Sequence, residues 1–110
     1  MWENFAKAIE YHKKSLKINP DNLVSYLNLG VTQVKAGEYR DAIETFEKVI
    51  QKEPMSVFPY YYWGLSNLKI GNVNKAKLAI DALKALLQES MVQDLKKELV
   101  TAENAPPQEK

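Results

Sequence analysis

The side chains that could do chemistry in this sequence are few and scattered. His12 is the only histidine among 110 residues, and the absence of cysteine excludes disulfides, thiolate metal sites and thiol nucleophiles. No serine lies in a context typical of a nucleophile, and no glycine-rich loop could hold a phosphate. His12 lies 34 residues before Phe46, so we expect it to replace a core residue, packed or half-exposed. The sequence therefore predicts a protein that is not an enzyme and that binds no metal or cofactor.

Charged side chains are distributed singly along the chain at helical spacing. Glu44 and Lys48, four residues apart, can pair on a helix surface, which is typical of a solvated face. Lys35 and Lys69 lie near the ends of predicted helices, where the helix dipole favours a cation. A weaker alternative is that these two lysines are matched charges for an acidic partner. The net charge of +1, with Arg40 as the only arginine, disfavours nucleic acid as a partner.

The chain has no apolar run long enough to insert into a membrane. Its first residues are amphipathic and do not resemble the apolar region of a signal peptide. We therefore expect a cytoplasmic protein.

Prolines and glycines divide the chain into six predicted helices. Pro20 and Pro54 end helices because proline lacks a backbone N–H, and Gly37 and Gly71 suit the left-handed residue that follows a helix. Short links between helices predict antiparallel neighbours. The predicted helices cover about residues 3–18, 23–36, 39–52, 57–70, 73–88 and 91–103. Residues 104–110 are expected to be disordered because they contain two prolines and few apolar side chains.

Polar residues at the predicted helix starts are expected to cap them. Asn22, Ser56 and Asn72 precede the second, fourth and fifth helices, where a side-chain oxygen can accept a free backbone N–H. Ser90 and Gln93 have the spacing of a capping box at the start of the sixth helix.

Small residues repeat after 34 positions in the middle of the chain. Glycine inside a helix costs about 1 kcal/mol relative to alanine, so its recurrence at one phase indicates that paired helices approach closely there. A fixed period of this length predicts a supersecondary unit that stacks on copies of itself. The matching residues are Gly30, Gly37 and Ala42 in one unit and Gly64, Gly71 and Ala76 in the next.

These residues and their neighbours resemble the tetratricopeptide repeat. Residues 23–56 contain Tyr26-x-x-Leu29-Gly30, then Gly37-x-Tyr39-x-x-Ala42, Phe46 and Pro54. Residues 57–90 resemble a second repeat, with Gln88 where the family has proline, and residues 1–22 resemble the second half of an earlier one. The resemblance implies an all-α, right-handed α-solenoid of antiparallel helical hairpins. It forms one domain over residues 1–103, with residues 91–103 as a capping helix.

In this family the first helix of each hairpin lines a concave groove that receives extended peptides or partner helices. The resemblance therefore implies a protein–protein interaction module, a scaffold or adaptor, with an apolar and aromatic groove. Phe58 and Tyr62 stand where the family's carboxylate clamp needs basic side chains, which disfavours a chaperone-tail adaptor. The implied groove residues are Val24, Leu27, Asn28, Val31, Lys35, Phe58, Tyr61, Tyr62, Leu65 and Lys69.

Two alternatives stay open for these surfaces. The sixth helix could fold back over Tyr61 and Leu65 and cover part of the groove. The chain could also be a structural segment that forms homo-oligomers through its incomplete first repeat. Trp2, Phe5 and Ile9 would lie on that edge, where we expect no hairpin partner to cover them.

Overall fold

The computed structural model describes residues 2–86 and 89–105, with the backbone alone at residues 2, 3, 89 and 90. The described residues form six α-helices and no strand, which confirms the all-α class. The helices are α1 (Trp2–Ile18), α2 (Leu23–Lys35), α3 (Tyr39–Lys52), α4 (Val57–Lys69), α5 (Val73–Ala85) and α6 (Glu89–Asn104).

Two predicted boundaries near the C-terminus were wrong, and a third differs by one residue. The fifth helix ends at Ala85, and the backbone N–H of its C-cap residue, Leu86, donates to the carbonyl oxygens of both Ala82 and Leu83. The sixth begins at Glu89, so Ser90 lies inside α6 and cannot be its N-cap. That helix also includes Asn104, since Leu99 and Ala102 still pack against the core. Gln88 and the predicted disorder of residues 106–110 lie outside the described residues.

Two of the other three predicted caps form. The side-chain oxygen of Asn22 accepts the N–H of Ser25 at 3.1 Å, and that of Asn72 accepts the N–H of Lys75 at 3.5 Å. Ser56 occupies the N-cap position of α4 but makes no side-chain capping bond. The residue three positions later, whose N–H the cap would accept, is Pro59, which has no N–H.

Glycine has the two uses that its spacing predicts. Gly37 and Gly71 follow α2 and α4 with φ of +80° and +84°, the left-handed conformation of a helix end. Gly30 and Gly64 lie inside those helices, where a Cβ would approach within 2.6 Å of the Phe46 ring and of Ala79 respectively. Both values are far below van der Waals contact, which confirms the close approach of paired helices.

The six helices stack in chain order. Within the described residues each helix contacts the next one along the chain. In addition, α2 contacts α4, and α4 contacts α6. Phe46, Leu83 and Leu95 are fully buried between them. Polar bonds join neighbours as well: Trp63 Nε1 on α4 donates to Glu47 Oε2 on α3 at 3.0 Å. This serial arrangement is that of an all-α helical-repeat solenoid.

Candidate protein-interaction groove

A concave groove with a volume of about 530 Å³ lies between α2 and α4, and α1 contributes one side chain to its lining. We call it the α2–α4 groove. Its lining residues are His12, Leu27, Asn28, Val31, Thr32, Lys35, Phe58 and Tyr62. Helical spacing explains the set: residues four apart share one face, so Leu27, Val31 and Lys35 form a stripe along α2.

Aromatic side chains build the α4 wall of the α2–α4 groove. The Tyr62 ring stacks on Phe46 with centroids 5.5 Å apart and an interplanar angle of 10°. Tyr61 packs edge-on against Tyr62 at 5.4 Å. Because Phe46 is fully buried, these contacts hold Tyr62 in place. Phe58 has no such cover and is 54% exposed, so it offers an apolar surface to a ligand.

Polar groups lie along the α2 side of the groove. The Thr32 hydroxyl donates to the Asn28 carbonyl oxygen at 2.8 Å, a bond within the helix. Asn28 is exposed, and within residues 2–86 and 89–105 its side-chain amide has no hydrogen-bond partner. Lys35, also exposed, forms no ion pair in that part of the chain. The lining of the groove includes two basic side chains, this lysine and His12, and it includes no carboxylate.

Six of the ten residues predicted for the groove line it, and Val24 and Lys69 do not. Both are exposed, Val24 by 66%, and they lie in the first turn of α2 and at the last residue of α4 respectively. The six lining residues are Leu27, Asn28, Val31, Lys35, Phe58 and Tyr62.

The other two predicted residues, Tyr61 and Leu65, face a different neighbour. They pack against a buried cluster that includes Val92 and Leu95 of α6. The pKa of Tyr61 is raised by burial first and then by the negative charge of Asp94, with smaller contributions from Tyr62 and Glu98. Asp94 and Glu98 belong to α6, so this helix lies over the part of α4 that carries Tyr61.

His12 and Thr32 line the α2–α4 groove but were not among the residues predicted for it. His12 lies at the phase of Phe46, which packs against α2 on one side and Tyr62 on the other. His12 and Asn28 are sixteen residues apart, as are Phe46 and Tyr62. Because Phe46 contacts Tyr62, the repeat period alone could have placed His12 beside Asn28. We expected a packed or half-exposed core substitute; His12 is half-buried, and it also lines the surface groove, its ring edge-on to Tyr11 at 5.8 Å.

The prediction that Ile9 lies on an uncovered edge of α1 is wrong, because its side chain is only 7% exposed. The contact of α1 with α2 accounts for this burial, because α2 is the helix that α1 touches in the described part of the chain. Phe5 is half-buried, and the Trp2 side chain lies outside the described residues. The open face of α1 lies instead at Tyr11, which is 70% exposed.

The described part of the chain lacks the features of a metal site or of a membrane span. It contains no cluster of three or more histidine and carboxylate side chains able to hold a metal ion. None of its helices is long and apolar enough to cross a membrane.

Comparison with known proteins identifies the repeat. The family model described as tetratricopeptide repeat matches residues 3–62. Superkiller protein 3 of Saccharomyces cerevisiae is 25% identical over 87 residues, 79% of this chain and 6% of that protein. The peroxisomal targeting signal receptor of Candida albicans is 30% identical over 74 residues, 67% and 12% of the two chains.

A third relative is the human small glutamine-rich tetratricopeptide repeat-containing protein beta, 38% identical over 45 residues, which are 41% of this chain and 15% of that protein. The chain thus spans less than a sixth of each of these relatives. Since the family model covers more than half of the chain and the helices repeat as the spacing requires, the chain belongs to the tetratricopeptide repeat family.

Proposed function

We propose that this chain is a non-enzymatic scaffold or adaptor module that binds a peptide or a partner helix in the α2–α4 groove. Membership of the tetratricopeptide repeat family supports this, because that family is typically one of protein-interaction modules. One relative is named as a receptor for a targeting signal, which is consistent with capture of a peptide.

The exposure of Phe58 is the observation that carries the proposal. An aromatic ring that is 54% exposed beside the fixed ring of Tyr62 is an apolar surface that a ligand can cover. Aromatic residues at the centre of an interface typically contribute about 2 kcal/mol or more to affinity. Asn28 adds an amide that can donate to and accept from a peptide backbone.

Binding can be tested with a random dodecapeptide library displayed on phage and selected against the chain. We expect enrichment, and we expect Phe58→Ala to weaken the selected peptides by about 30-fold, equivalent to roughly 2 kcal/mol. Isothermal titration calorimetry measures the change. Leu78→Ala is the matched control, because Leu78 is 59% exposed but does not line the α2–α4 groove.

Two results would contradict the proposal. One is that no sequence is enriched. The other is that Phe58→Ala and Leu78→Ala weaken the selected peptides equally while circular dichroism shows an unchanged fold.

The alternative function, self-assembly through the first repeat, is favoured by one observation on α1. Tyr11 is 70% exposed, whereas Thr45, its equivalent on α3, is 6% exposed because α2 covers it. A second copy could cover the Tyr11 face in the same way. Sedimentation velocity tests this: a mass that rises with concentration, and that Tyr11→Ser lowers more than Ile18→Ser does, would support it. A monomer at every concentration would exclude it.

A further inference from the structure

We infer that the α2–α4 groove takes an extended peptide segment with an apolar side chain at the Phe58 end and a carboxylate side chain at the Lys35 end. The inference rests on the proposed function and states the chemistry of the ligand.

The charge of the lining favours a carboxylate. Lys35 lines the groove, has no ion pair within the described residues, and has no carboxylate beside it in the lining. A cationic ligand would meet no opposite charge there, whereas an acidic side chain would pair with Lys35. The net charge of the whole chain is only +1, so any preference for acidic ligands must come from local charges.

The two ends of the groove differ in character and lie a fixed distance apart. Val24 holds on α2 the repeat position that Phe58 holds on α4, 34 residues later, and Lys35 lies eleven residues further along α2. At 1.5 Å per residue this is about 16 Å. An extended chain advances about 3.3 Å per residue, so it covers the distance in about five residues. The carboxylate and the apolar side chain should therefore be four to six positions apart.

Backbone groups of an extended segment also find partners in the middle of the groove. Asn28 carries both a donor and an acceptor on its side chain, and His12 has donor capacity in either protonation state. A helical ligand has few free backbone groups to use them, since its N–H and C=O groups bond within the helix. These two side chains therefore favour an extended ligand over a helix.

The position of Lys35 has another explanation, which a control can separate. A lysine in the last turn of a helix is stabilised by the helix dipole without any ligand. Lys69 has the same position in α4 and is also exposed, but it does not line the groove. Lys35→Gln and Lys69→Gln therefore remove the same charge from equivalent helix ends, and only the first removes it from the groove.

The phage-displayed dodecapeptide library tests the inference when it is selected in parallel, at low salt, against the natural chain and these two variants. We expect the natural chain and Lys69→Gln to enrich peptides with aspartate or glutamate four to six residues from a large apolar residue. Lys35→Gln should lose this acidic preference and keep the apolar one. For a selected peptide, exchanging its Glu for Gln should weaken binding roughly twofold to fivefold, and should have no effect on Lys35→Gln.

Each contrary outcome is decisive. Selected peptides without an acidic preference, or with one that Lys35→Gln retains, would overturn the carboxylate while leaving the proposed function in place. Peptides that become helical on binding, by circular dichroism, would show a helix as the occupant and overturn the extended ligand. Absence of any enrichment would overturn this inference together with the proposed function, and a concentration-dependent mass in sedimentation would then assign the surface to a second copy.

Discussion

The interval between α2 and α4 is open, whereas the equivalent interval between α4 and α6 is closed. Phe58 is 54% exposed at the first, and Val92, 34 residues later, is fully buried at the second. The bulky Phe58 lies at the first interval, while the smaller Val92 at the equivalent position lets α6 lie close against α4. The repeat period thus sets which helices meet, and side-chain size sets whether a groove remains between them.

The largest effect is expected at the closed interval. Leu95 is fully buried and lies next to Gly64, so Leu95→Ala would leave a cavity between α4 and α6. The free energy of unfolding should fall by about 2–5 kcal/mol. Urea denaturation measures it, with Val100→Ala as the control because Val100 is 55% exposed on the same helix. Equal losses in the two variants would show that α6 does not close this interval.

A reciprocal exchange tests the comparison directly at equivalent positions. Val92→Phe forces extra volume into a filled site and should destabilise the fold by about 1–3 kcal/mol. Phe58→Val acts at an exposed site and should change stability by no more than about 0.5 kcal/mol. Thermal or urea unfolding of the two single variants measures both effects. If Val92→Phe were tolerated as well as Phe58→Val, the second interval would be as open as the first.

A buried hydroxyl distinguishes the intervals further. Ser66 is fully buried at the closed interval, and its Oγ has no hydrogen-bond partner in the described part of the chain. Thr32, its equivalent on α2, is half-buried and bonds the Asn28 carbonyl. Ser66→Ala removes the unpaired group and should stabilise the fold by about 1 kcal/mol. Thr32→Val is the control, and a loss of stability in Ser66→Ala would reveal a bond that the hydroxyl makes.

The smallest effect concerns pH. The pKa of Tyr61 is raised by burial and by Asp94 of α6, so the native state holds this proton more tightly than the unfolded state does. The free energy of unfolding should therefore fall as pH rises through about 10, the ordinary pKa of tyrosine. Tyr61→Phe should flatten this fall in urea denaturation above pH 10, and Asp94→Asn should weaken it. An unchanged slope in Tyr61→Phe would mean that α6 does not enclose Tyr61.

The repeat could be predicted from the sequence because its signals are local and steric. Gly37 and Gly71 end α2 and α4 with positive φ, and Gly30 lies against Phe46 where no side chain would fit. The absence of a side-chain capping bond at Ser56 also has a local cause. Proline is tolerated in the first turn of a helix, but the missing N–H of Pro59 is the one that Ser56 would have accepted.

The groove was only partly predictable because periodicity treats equivalent residues alike. Leu27 and Tyr61 share one phase, yet the first lines the groove and the second lies under α6. How closely α6 approaches depends on the packing of Val92 and Leu95, which no repeat spacing encodes. The prediction that Ile9 is uncovered was wrong for a similar reason, since the burial of Ile9 depends on how α2 lies across α1.

The serial stacking of the helices has a consequence for how the molecule would respond to a ligand. In a linear array of elements, loosening can start at one end and pass along from neighbour to neighbour. Here α1 has α2 as its neighbour in the described part of the chain, so α1 depends on that single attachment. A segment bound along α2 and α4 would link these two helices directly. As a result α2, α3 and α4 would unfold as one cooperative unit.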